Sequence, residues 1–392
     1  MKIIVVTFSV VFSFCIISCN KKNNQSTLDY YRNTDYIPKE NVLYKKITLK
    51  PQRLDTSIES TFAGYFTIYE NRLFFADLYF SYVFEFDSSF KVVNQYAGKG
   101  KGPNEVTDFL YFIPGENDFC LLSSGNSLLY TFDYYGEKMN TVRIKWKGTI
   151  EIAKNLYNDP DPKDYRCYEP DFGIDGIVKN WDNEHIVYGI TASWPKFNGY
   201  FNSEKYYMYS RILAVTSKKT GEITRILGRR SPIFLKYQNI PNFDHFAYEV
   251  TKKNIFLTFW PDEKIYVIDK RSDKVVSVFG KKGKNMNTLY RTTHSYETAE
   301  MQLQKDWEEY GYYHYLKIVG KKNLLFRGYK KGNLSKTDGL QIYKLDTGEL
   351  IADLNVPKDF VFLGEFFNRY YGWIDKSNIN EKDFFIYEIK LY

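Results

Sequence analysis

Residues 95–106 read QYAGKGKGPNEV. Glycine and lysine at this density are what a phosphate cradle uses, because backbone amides and a lysine together meet the phosphate oxygens. The spacing refuses that role. Gly98, Gly100, Gly102 and Pro103 match neither GxxxxGK[ST] nor GxGxxG, and the strand pattern after Pro103 leaves no helix N-terminus to hold an anion. Metal chemistry finds no better pattern. His185, His245, His294 and His314 show neither HExxH nor paired spacing. Asp159, Asp161 and Asp164 lack the spacing and central glycine of an EF-hand loop. No Gly-x-Ser-x-Gly elbow is present. These patterns assign no catalytic residue, no metal and no cofactor.

The elements that must carry such residues are short strands. Aromatic residues make up 19% of the chain, with 36 Tyr and 31 Phe, a bias toward strands. One phrase recurs along it: strand, polar turn, apolar strand, loop, then an alternating strand ending in Asp and a hairpin. YFTIYENRLFFADLYFSYVFEFDSSFKVVNQYAG at 65–98 is the first copy, and the third strands align as YVFEFD87, LLYTFD133, KIYVID269 and LQIYKLD346. Asp in that position bonds its own backbone two residues on and starts the hairpin. A sixth copy stops after three strands, and VLYKKITLK at 42–50 offers the fourth. Closing the last sheet with the N-terminal strand hides exposed edges. The expected fold is an all-β, six-bladed β-propeller over 42–392, with one short helical insertion between blades four and five.

Repetition also explains the glycine stretch. VFG280-KKG283-KN and RILG228-RRSP fall at the same point of their copies. There an outer strand hands the chain to the innermost strand of the next blade, and glycine permits the sharp crossing. Lys99, Lys101, Arg229, Arg230, Lys281, Lys282 and Lys284 would then decorate one face, as solvated charges on exposed turns or, on the sharper reading, as an anion-attracting surface. The insertions 148–172, 191–205, 285–313 and 328–338 crowd the same face, where binding usually resides. Ala299, Leu303, Trp307 and Tyr310, with Ser295 as cap, predict a helix of about three turns across the mouth of the ring. The candidate ligand-binding residues are Asp77, Lys99, Lys101, Glu105, Trp194, Arg229, Trp260, Asp262, Lys281, Arg327, Tyr329, Trp373 and Asp375, in which aromatic planes beside charges suit sugars or peptides.

The N-terminus reads as an address. Lys2 precedes an apolar run from Ile3 to Ile17, too short for a bilayer span of about 20 residues and suited to a secretory h-region. Residues 1–18 read as a lipoprotein signal peptide, Cys19 as the lipidated residue and 19–41 as a polar tether with no core to join. Resemblance to bacterial lipoproteins implies that Asn20, in place of Asp after the cysteine, favours outer-membrane sorting, facing the periplasm. Loss of Lys2 with the signal lowers the formal charge from +7 to +6, too little and too scattered for nucleic acid. The exported compartment permits a Cys120–Cys167 disulfide, although Cys120 in DFCLL reads better as a buried thiol.

Cys19 in Ile16-Ile17-Ser18-Cys19, the six units and the phrase Gly98-Lys-Gly-Lys-Gly-Pro-Asn-Glu105 resemble the TolB-like six-bladed propeller lipoproteins of Bacteroidota. Members often carry Gly-basic-Gly-x-Gly-Pro-Gly-Glu after the first blade; Asn104 stands here where glycine is common. The resemblance implies fold and address and little chemistry, since propellers host many functions. The expected function is a non-catalytic, lipid-anchored, monomeric propeller. Its loop-rich basic and aromatic face would bind a glycan, peptide or envelope protein. The alternative is a channel-sited, metal-assisted hydrolase, lactonase or lyase. The Ser-x-Asp-x-Gly-x-Thr-Trp turns of sialidase propellers are absent.

Overall fold

Each predicted Asp ends its strand by accepting from the turn that follows. Asp87 Oδ1 accepts from the backbone of Ser89 and Lys91 at 2.8 and 2.9 Å. Asp133 Oδ1 does the same for Tyr135 and Glu137 at 2.9 Å, and Asp269 Oδ1 takes Ser272 N at 2.7 Å. These hairpins recur through a computed structural model that describes residues 25–32, 36, 38–123, 125–146, 150–171, 178–200, 203–237, 239–293, 295–375 and 381–392. Cys19, the signal segment and His294 lie outside the described residues.

The strands form six sheets arranged as a six-bladed propeller. Blade one runs outward from Gly64–Tyr69 to Val92–Ala97, and blade two from Tyr111–Pro114 to Lys138–Arg143. In blade three the inner position is split between Glu169–Pro170 and Lys179–Asn180, both paired with His185–Thr191. Blades four and five begin at Phe246–Val250 and Tyr310–Val319. Blade six takes Phe360–Phe366, Arg369–Ile374 and Phe385–Leu391 from the C-terminus, and Ile47–Arg53 from the N-terminus. The closing strand pairs antiparallel from Ile47↔Leu391 to Arg53↔Phe385. It therefore sits later than 42–50, because Asn41 N and Leu43 N are engaged by the carbonyls of Leu350 and Ile351 on blade five. Pro51, which lacks a ladder donor, is tolerated on this outer edge.

Apolar alternation puts the cores between blades. Phe66, Phe75, Trp373 and Phe384 join blades one and six, and Phe326 stacks on Phe362 at 3.7 Å between five and six. Cys120 and Cys167 are both buried free thiols, and burial pushes them up to about 11 and about 12.

One expectation changes. From Gln25 onward, the N-terminal segment packs on the propeller instead of hanging free. Thr27 Oγ1 donates to Tyr207 O at 2.8 Å, Tyr30 OH to Asp273 Oδ1 at 2.9 Å and Tyr31 OH to Arg229 O at 2.7 Å. Both tyrosines are buried, and the Tyr31 ring lies 4.5 Å from that of Tyr266. Two tyrosines and a threonine within five residues are too short a run to show periodicity, so the sequence pattern hid them.

The long helix forms as expected over Tyr296–Glu309, with Ser295 Oγ accepting from Thr298 N at 3.1 Å. It is pinned over blades four and five. Trp307 Nε1 donates to Asn242 O at 2.9 Å, and Asn242 Nδ2 donates back to Ala299 O at 2.9 Å and Asp306 Oδ2 at 2.8 Å. Among the described residues no helix is long and apolar enough to cross a membrane.

Candidate functional site: the central channel

In a propeller the innermost strands face one another around an axis. Here they enclose a cavity of about 750 Å³ to which every blade contributes. Blade one supplies Tyr65, Thr67 and Tyr69; blade two Tyr111, Phe112 and Ile113; blade three Lys179 and Asn180. Blade four adds Glu249, blade five His314, Tyr315 and Lys317, and blade six Val361, Trp373 and Asp375. The wall is mainly aromatic and branched aliphatic, and its polar groups are few, as in sites for compact ligands of mixed polarity.

Those polar groups have a definite order along the axis. Each crossing delivers the chain to the start of an inner strand, so starts lie on the loop-rich face and ends on the other. Tyr65, Tyr111 and the Trp373–Asp375 pair stand near the loop-rich mouth. Glu249 and Lys317, late in their strands, stand near the far end. Lys179 Nζ pairs with Glu249 Oε1 at 2.8 Å. Asn180 Nδ2 donates to Pro114 O at 2.6 Å, while its buried Oδ1 has no hydrogen-bond partner among the described residues. His314 Nδ1 is likewise buried without a partner among the described residues. Burial, reinforced by the Lys330 charge, holds that imidazole well below its ordinary range, so it is neutral at pH 7. Lys317 is pushed down to about 8 by burial, against the pull of Glu249 and with the push of Lys179.

The sequence-predicted residues fall elsewhere, Trp373 and Asp375 excepted. Asp77 is fully buried and caps its own loop, accepting Ser60 Oγ at 2.6 Å and the backbone of Tyr79 and Phe80 at 2.8 Å. Asp262 plays the same part in blade four, with Ser231 Oγ and with Tyr266 OH at 2.7 Å. Both are clasps between a crossing and the turn between second and third strands.

Arg229 and Arg230 are buried, which removes them from the expected basic face. Arg229 donates to Tyr209 O at 3.0 Å and to Gln25 O at 3.1 Å, gripping the N-terminal segment, and Arg230 pairs with Asp244. Lys281 pairs with Glu40. Arg327, fully buried, donates to Gln341 Oε1 at 2.6 Å, Lys281 O at 2.7 Å and Glu263 O at 2.9 Å, beneath the Tyr313 ring. Tyr329 OH donates to Asp353 Oδ1 at 2.6 Å, Trp260 stacks on Tyr312 at 4.1 Å, and Trp194 Nε1 donates to Cys167 O at 2.8 Å. These are packing and clasp roles. Lys99 and Lys101 stay exposed.

The opening glycine stretch is a closed crossing between blades one and two. Gly100 N donates to Val106 O at 2.9 Å, Val106 N to Gly98 O at 2.8 Å, and Gly102 N to Glu105 Oε2 at 2.7 Å. A Cβ on Gly100 would stand 1.9 Å from Glu105 Oε2, so the carboxylate lies where a side chain would go. Glu105 is thus engaged by the loop itself.

The channel's own charges carried a signal that passed unused. Inner strands YFTIY, FAYEV and YLKIV are otherwise apolar, and a lysine or glutamate inside one is costly unless something pairs with it. Among the described residues no three His, Cys, Asp or Glu side chains converge as a metal site would need.

Fold and channel together define the class: a six-bladed propeller with an aromatic-walled axial cavity. Solved structures agree on the fold. The chain is similar to a member of the DUF4221 family from Bacteroides vulgatus, at 14% identity and a TM-score of 0.61, covering 90% of this chain and 99% of that one. It is also similar to a Bacteroides fragilis protein described as exported, at 13% identity and a TM-score of 0.52, covering 91% and 99%. No family model and no curated protein matches the chain.

Proposed function

We propose that this chain is a TolB-like, lipid-anchored envelope propeller that binds a small ligand without transforming it, and that the ligand sits in the central channel. The carrying observation is the cavity of about 750 Å³ with its aromatic wall, a size and lining suited to a compact ligand with an apolar body. The address draws on Lys2, the apolar run and Cys19, with support from the likeness to a protein described as exported. The loop-rich face is a weaker candidate, because its arginines are engaged internally and its remaining charges are lysines on turns.

Thermal-shift screening of aromatic and aliphatic amphiphiles tests the reading. Compounds that stabilise the native chain are expected to lose their effect in Thr67→Trp and Val361→Trp, which fill the channel. They are expected to keep it in Lys282→Glu/Lys284→Glu. Stabilisation that survives the filled channel, or that vanishes on charge reversal of the loop face, overturns it.

A further inference from the structure

Lys317 is the eighth residue of the ten-residue inner strand Tyr310–Val319, which places it toward the end of the channel away from the loop face. Its ammonium carries three donors, and among the described residues it makes one hydrogen bond, a long one of 3.3 Å to Ile68 O. No carboxylate pairs with it. The nearby carboxylate, Glu249, is held by Lys179 at 2.8 Å. Two lysines and one glutamate therefore share this end, and one positive charge is left without a partner.

The ammonium is part-buried, and a charge withdrawn from water without a counter-charge is costly. Blade six presents Gly364 there, where a Cβ would touch Ile68 at 3.3 Å and the Lys317 Cε at 3.7 Å, so the lysine stem packs against the glycine backbone. Farther up the axis, about 10 Å by strand rise, the neutral His314 leaves Nδ1 unpartnered inside the same cavity. The arrangement is a cation at one end, aromatic faces between, and a hydrogen-bonding nitrogen toward the other.

Resting on the channel reading above, we propose that the ligand is a small organic acid. Its anionic group pairs with Lys317 at the far end of the channel, and its apolar body lies against the aromatic wall. A carboxylate would complete the donors of Lys317 and neutralise the surplus charge. A purely aliphatic ligand would leave both as they are. The groups facing Lys317 are Glu249 from blade four, Lys179 from blade three and the Ile68 carbonyl from blade one. With Lys317 held at about 8, the acid is gripped at neutral pH and released as the lysine loses its proton.

The test uses the full chain in detergent and two probes of one shape, 4-phenylbutyrate and its uncharged amide, followed by calorimetry. The acid is expected to bind at least tenfold tighter than the amide at pH 7. Lys317→Met is expected to bring the acid down to the amide's affinity and leave the amide unchanged, and amide binding also certifies that the variant is folded. Lys317→Gln is the second variant. In the unsubstituted chain the acid's advantage is expected to fade between pH 7 and 9.5 while the amide is indifferent. Equal affinity for both probes in the native chain, or an advantage that survives loss of Lys317, overturns the anion site while the channel reading stands. If neither probe binds, both readings fall.

Discussion

Arg327 shows what a single buried residue does for this ring. Its guanidinium joins blade five to the crossing from blade four through neutral acceptors, Glu263 O, Lys281 O and Gln341 Oε1. Lysine cannot reach three separate acceptors from one planar fork. Arg327→Lys is expected to cost about 3 kcal/mol by leaving buried carbonyls unpaired, read as a lower urea midpoint with an unchanged slope. At the other extreme of exposure, Gly100 and Glu105 form a local pair. Gly100→Ala is expected to lose about 1 kcal/mol in the native chain and much less in a Glu105→Ala background, because the methyl group and the carboxylate compete for one place. Equal losses in the two backgrounds would show that glycine serves the backbone alone. Sequence spacing placed Gly100 and Glu105 in a turn, whereas Arg327, read as lying in or beside a loop, falls inside the strand Leu324–Gly332. Spacing could not tell a charge engaged by its own loop from a charge facing solvent, which is why Asp77, Asp262, Arg229 and Arg327 read as ligand residues.

Among the elements, the N-terminal segment matters most. It leads from the expected anchor, grips blades three and four through Thr27, Tyr30 and Tyr31, and continues into the outer strand of blade six. Residues 27–31 and the ring-closing strand Ile47–Arg53 are thus both docked on the propeller. Tyr31→Ala removes a buried ring and the hydrogen bond to Arg229 O; losses of 3–5 kcal/mol are usual for large buried aromatics. The expected sign is faster proteolytic cutting within residues 25–46 while the cores of blades one and two stay protected. Unchanged cutting would mean that the segment adds nothing to stability. The blades were legible because the strand period recurs along the chain, with the terminal Asp in four copies and the crossing glycine in three. The docked segment occurs once, and nothing in the chain repeats it.

For the whole molecule, pH is the simplest lever. Burial, with the Arg230 charge, holds His245 down to about 4, and burial with Lys330 holds His314 well below its ordinary value. The unfolded chain protonates both near 6.5, whereas the folded chain does not. The stability they contribute is complete above that pH and is lost as pH falls toward 4. Each such histidine costs roughly 1.4 kcal/mol per pH unit in that window. The fall in urea midpoint from pH 7 to pH 5 should be smaller in the His245→Gln/His314→Gln double variant than in the native chain. Parallel falls would show that the two imidazoles protonate freely. The channel itself was the least legible feature. Its walls are drawn from all six blades, and Lys179, Glu249 and Lys317 are neighbours only once the ring closes.

The claim that the ring is a holder for a small ligand is tested most directly by a crystal structure of the chain grown with 4-phenylbutyrate. The account predicts the phenyl ring against Tyr65, Tyr111, Tyr315 and Trp373, with the carboxylate at Lys317. A probe bound among the loop-face lysines, with the channel holding only water, would contradict it.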